Sequence, residues 1–236
     1  MMKHNRFIDL FLRLAAIFFL LIAMLSVAPP HRVFAASRYY VKANGGNDLN
    51  SGLSWAQAFK TLHKALAVAN AGDEIWVAKG IYRPNEGSGL LPNQWRYAYF
   101  YLKDGVSIYG GFAGNETSLL QRDISNNFTI LSGDVDGNDL DSDGNGIADT
   151  TSDIVGDNAY HVVRSDGNAS TAVLDGFIIN AGLANDNSDP HNKGGGVYAY
   201  QSSATLRNLS FIANSAGLGG AGMCRMSVSF PDHRGF

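Results

Sequence analysis

With 236 residues, 45% apolar and 17% charged, the chain is long and hydrophobic enough to bury a sizeable core, which excludes disorder along its whole length. Its 18 basic residues are outnumbered by 21 acidic ones and form no cluster, which argues against a nucleic acid partner. Glycine at 27 against proline at 6 favours many tight turns between strands over proline-rich or collagen-like structure.

Lys3, Arg6 and Arg13 precede an apolar run over 14–28 and then Pro29 and Pro30, and Val33 and Ala35 set small residues where a signal peptidase reads. This is the layout of an export signal over 1–36, with the mature chain starting near Ala36 and secreted or held at the cell surface. The run is short for a membrane span of about 20 residues, so the mature chain is expected to have none. Removing Lys3, Arg6, Arg13, Arg32 and Asp9 takes the net charge from −3 to about −6. Cys224 is the single cysteine and reads as a tail thiol, so no intrachain disulfide can form.

Residues 37–73 form an N-terminal segment of strand and helix. Tyr39, Tyr40, Val41 and Lys42 predict a strand, and 44–48 a turn. Ser54 with Gln57 makes a capping box, and Phe59, Leu62, Leu66 and Ala69 keep helical spacing until Gly72 ends the run. His63 and Lys64 read as solvated residues of that helix.

Strands at 74–78 and 81–84 flank a turn at Lys79 and Gly80. Trp95, Tyr97, Tyr99 and Tyr101 then alternate, which in a strand sets four rings on one face. Apolar C–H faces of sugars pack on such rings while tyrosine hydroxyls supply hydrogen bonds, so the four are candidate ligand-binding residues; the alternative is packing into the core or under the 85–94 loop. Strands follow at 106–112 and 128–133, and the 23 residues from Ile108 to Leu131 suit one coil per rung.

An acidic loop at 134–157 carries Asp134, Asp136, Asp139, Asp141, Asp143, Asp149, Asp153 and Asp157 among glycine and asparagine. So many carboxylates repel unless a hard cation neutralises them, and Ca2+ takes six to eight oxygen ligands. Asp141, Asp143, Asn145, the Ile147 carbonyl and Asp149 fall at calcium-loop positions, with Asp153 one residue beyond the usual last ligand, while Asp134, Asp136 and Asn138 offer a second half-site. The loop resembles those of thrombospondin type 3 repeats and dockerins, which implies calcium as cofactor. A solvated loop whose side chains cap their own turns is the alternative.

After a strand at 160–164, two copies of one pattern appear: Leu174, Phe177 and Ile179 match Leu206, Leu209 and Phe211 at an offset of 32, and 194–197 returns as 219–223. Between them, Asp186, Asp189, His191 and Lys193 give a loop acidic and basic groups of the types hydrolysis uses. Short strands separated by glycine turns at such intervals are the mark of a solenoid over 74–223. The pattern resembles the right-handed parallel β-helix, pectate-lyase-like superfamily, and Asn214, Ser215 and Ala216 before Gly219 and Gly220 resemble the repeat of polymorphic outer-membrane proteins. The resemblance implies a mainly β solenoid with an inserted acidic loop, whose N-terminal α-helix caps the first rung. The tail 224–236 lacks the repeat, so the chain is expected to be a truncated or frame-shifted fragment of a longer product.

The reading these features favour is an exported or surface β-helix that binds polysaccharide or another surface component, its acidic loop held by calcium. Two alternatives share the fold. One is a calcium-dependent polysaccharide lyase or a glycoside hydrolase, for which no catalytic residue can be assigned; the other is a structural adhesin or passenger segment.

Overall fold

The computed structural model describes Leu14 and residues 36–167 and 171–226. Apart from Leu14 and Ala36, the expected export signal lies outside them, as does 227–236 of the tail. Leu14 belongs to a separate unit, 1–35. No helix among the described residues is long and apolar enough to cross a membrane.

Strand β1 (Arg38–Val41) and helix α1 (Leu62–Val68) lead into four coils. The first holds β2 (Glu74–Ala78), β3 (Gly80–Tyr82) and β4 (Phe100–Tyr101). The second holds β5 (Ser107–Phe112), β6 (Thr129–Ser132) and β7 (Val163–Asp166). The third is β8 (Val173–Asn180), β9 (Leu183–Ala184) and β10 (Val197–Tyr200), and the fourth β11 (Thr205–Ile212), β12 (Ser215–Ala216) and β13 (Met223–Met226). All these strands pair in parallel with the coil before or after.

Period-two alternation turns every second side chain inward, and stacking then builds three apolar ladders. Ile75, Ile108, Leu174 and Leu206 form one, Tyr82, Leu131, Ile179 and Phe211 the second, and Phe100, Val163, Val197 and Met223 the third. The first three members of each are fully buried, worth about 1.5–3 kcal/mol per side chain. In the last coil Phe211 is 39% and Met223 37% exposed, because no described residue stacks upon them. Pairing runs on to Met226, three residues beyond the expected end of the repeat, with Arg225 in the row that Ser165 and Ala199 fill.

The repeat register holds as read: Leu174, Phe177 and Ile179 pair with Leu206, Leu209 and Phe211. The spacing from Ile108 to Leu131 does not mark a coil. These residues sit on β5 and β6, successive strands of one coil, and the single strand β8 spans both, pairing with β5 through its first half and with β6 through its second.

The expected continuous helix is broken. Ser54 caps a 3-10 turn, Trp55–Gln57, and Thr61 caps α1 afresh, its backbone N–H and hydroxyl held by Asp48. Phe59 falls between them and bridges to Val41. Helix α1 sends Leu62, Ala65 and Leu66 into the core beside β1, β2 and β4. Its His63 is not a solvated residue: the ring packs 5.2 Å from Phe100 and Nε2 donates to the Pro84 carbonyl at 2.6 Å.

Candidate functional site

The outer face of β4, β7 and β10 carries a row set by strand register: Tyr101 pairs with Arg164, and Arg164 with Tyr198. The Arg164 guanidinium stands 5.3 Å from the Tyr99 ring and 5.7 Å from the Tyr198 ring, held by Asp166 at 3.1 Å. A second group of rings joins it. His191 stacks on Tyr160 at 4.7 Å, Tyr97 meets both edge-on at 5.3 Å, and Arg96 lies 4.2 Å over Tyr160. His161 links the groups, stacked on Tyr198 at 5.0 Å and 5.7 Å from His191. Tyr97 is 50% and Tyr101 37% exposed, so the patch presents rings to solvent.

Of the four rings read as one ladder, three reach this patch, by different routes. Residues 92–97 form a 3-10 helix that Pro92 opens, so Trp95 and Tyr97 do not alternate along a strand, and Trp95 turns back to bond the Leu90 carbonyl at 3.3 Å. Only Tyr99 and Tyr101 keep strand alternation, their rings 6.5 Å apart. Tyr160, His161 and Tyr198 join the face through register between coils, which local sequence does not carry.

Burial lowers the pKa of His161 to about 4 and also lowers that of His191, against the pull of Asp186, so both imidazoles are neutral at pH 7. A carbonyl can only accept, so His161 Nδ1–H donates to Gly194 O at 3.1 Å; its Nε2 is buried with no partner. In the loop above, Asp189 pairs with Lys193 at 2.8 Å and Asp186 accepts from Ser188 N at 3.2 Å.

The acidic loop leaves the corner between β6 and β7. Asp134 is buried and accepts from Gly137 N at 2.8 Å and Arg83, while Asp136 holds Asn138 and Asp157 N, both at 3.0 Å. Asp139, outside the expected ligand set, joins these two: burial and the charges of Asp134 and Asp136 raise its pKa. Further on, Asp141 accepts from Gly144 N and Gly146 N at 2.9 Å, and Asn145 spans Asp143 at 3.0 Å and Asp149 at 3.1 Å. Ile147 is buried as an anchor, and Asp153 bonds Thr150 instead of turning toward Asp149. Among the described residues no three His, Cys, Asp or Glu side chains converge to hold a metal ion. Beside the loop, a cleft of about 470 Å3 is lined by Asn44, Lys60, Ile81, Arg83 and Glu86.

Stacked parallel coils with three inward ladders and a decorated outer face define a right-handed parallel β-helix. The chain belongs to the DUF1565 family, described as proteins of unknown function, whose model matches residues 44–224. Comparison with curated proteins and with solved structures gives no match.

Proposed function

We propose that this protein is an exported or cell-surface β-helix that binds polysaccharide across β4, β7 and β10, with calcium holding its acidic loop. The observation that carries the reading is the ring row itself, in which exposed Tyr97 and Tyr101 and half-buried Tyr99, backed by the buried rings of Tyr160 and Tyr198, surround Arg96 and Arg164. Flat rings pack against sugar C–H faces, and the guanidinium and phenol groups supply directional hydrogen bonds at their edges. A rigid stack of strands holds these groups in place before a ligand arrives, which limits the ordering cost of binding.

Calcium is supported by donor chemistry. Oxygen ligands recur through 141–149, and among the described residues no Lys or Arg pairs with Asp141, Asp143 or Asp149. Asp141, Asp143, Asn145, the Ile147 carbonyl and Asp149 would hold the ion once the three carboxylates, which do not converge as they stand, gather around it, and its contribution there is charge neutralisation.

Affinity electrophoresis in gels cast with neutral and uronate polysaccharides tests the binding face. Tyr97→Ala with Tyr101→Ala, both exposed rings, is expected to weaken retardation at least tenfold while leaving far-UV circular dichroism unchanged. Equal retardation of variant and parent, or none on any glycan, sinks the reading.

A further inference from the structure

We propose that His161 and His191 form a binding site for a divalent transition metal ion of the zinc or copper class. The starting point is the unpartnered Nε2 of His161, on a residue only 2% exposed. Buried polar atoms are nearly always bonded, so an exception asks for an absent partner. Because Nδ1–H is tied to Gly194 O, the tautomer is fixed and the lone pair sits on Nε2. Imidazoles that ligate metals are prepared in this way, with the second ring nitrogen donating to a carbonyl or carboxylate.

The second ligand is at hand. His191 places its ring centroid 5.7 Å from that of His161. Two imidazoles bound at about 2.0–2.1 Å to one tetrahedral ion have centroids roughly 5 Å apart, close to the 5.7 Å here, so the spacing of the two rings suits one shared ion. The charges that act on His191 are mixed, Asp186 and Asp189 against Arg164 and Arg96, so the ring nitrogens and not the local field carry the site. Imidazole nitrogen suits zinc, copper and nickel, whereas calcium prefers the oxygen donors of the acidic loop. With no third His, Cys, Asp or Glu converging among the described residues, the ion keeps open positions for water or an outside ligand.

The test is titration calorimetry of the full chain, carrying no polyhistidine tag, with Zn2+ and with Cu2+ in a non-chelating buffer. One equivalent is expected to bind, at least tenfold more weakly in His161→Gln and in His191→Ala and unchanged in Cys224→Ser. X-ray absorption of the loaded protein is expected to show two imidazole nitrogens at about 2.0 Å. His191 is partly exposed, so its variant decides the matter should His161→Gln fail to fold. No binding, binding undiminished in His191→Ala, or binding that follows Cys224 overturns the proposal. The readout needs no glycan and no calcium, so its failure leaves the polysaccharide reading standing, and the reverse also holds.

Discussion

The guanidinium of Arg122 lies 3.2 Å from the carboxylate of Asp175, joining the excursion between β5 and β6 to the middle of β8. Both side chains are largely buried, whereas Arg207, 3.4 Å from the same carboxylate, is half-exposed. Removing one partner of a buried pair strands the other charge, so Arg122→Ala is expected to cost about 3 kcal/mol. Arg207→Ala should cost less than about 1 kcal/mol. Urea unfolding curves measure both; equal small losses would show that Arg207 and Asn208, whose side-chain amide donates to Asp175 at 2.7 Å, suffice to hold Asp175.

His63 makes stability depend on pH. Burial lowers its pKa below 6.5, partly offset by its bond to the Pro84 carbonyl. Between its folded pKa and 6.5 the unfolded chain binds a proton that the folded chain does not, so the contribution of His63 is complete above 6.5 and declines as pH falls through that window. His63→Gln, which keeps an N–H donor, is expected to flatten the melting temperature profile between pH 6.5 and 5 relative to the parent. Parallel profiles would remove His63 as a cause.

Calcium should raise the melting temperature over a chelator control, by about 2.7 kcal/mol of stability at a hundredfold excess over Kd. Asp141→Asn and Asp149→Asn are expected to abolish most of that gain. A differential scan showing no shift at millimolar calcium removes the ion from this loop.

Glycine substitutions should separate close approach from backbone strain. A Cβ at Gly182 would stand 1.9 Å from Gly195 O, whereas one at Gly137 meets nothing within 4 Å but sits at φ +73°. Gly182→Ala is expected to cost about 3 kcal/mol or to prevent folding, and Gly137→Ala about 1–2 kcal/mol. Thermal melts of the two variants rank them, and a reversed order would refute the close packing of the coils.

The coils were legible where the sequence repeats itself, because Leu174, Phe177 and Ile179 recur at one offset with the same chemistry as the residues they stack upon. They were not legible around Ile108 and Leu131, where a 16-residue excursion separates two strands of one coil and imitates a coil's length. The helix misled for a local reason: Phe59 keeps helical spacing, but Asp48 captures Thr61 and starts the helix there. Tyr97, Tyr99 and Tyr101 could be named from the chain, while Tyr160, His161 and Tyr198 could not, since their nearness to those rings depends on which residue of β7 lies beside which residue of β10.

In the second, third and fourth coils the bend between the first two faces is made by a residue at positive φ: Gly111, Gly176 and Asn208 respectively. The turn is therefore written in the backbone, independently of what hangs from it. The second coil carries residues 113–128 beside this bend, and the third runs straight through as β8 without altering the stack. That corner is a place where evolution or an engineer can splice in a segment while the apolar ladders keep their register, so new recognition surfaces can be grafted there, provided that the buried Asp175 keeps its Arg122 partner.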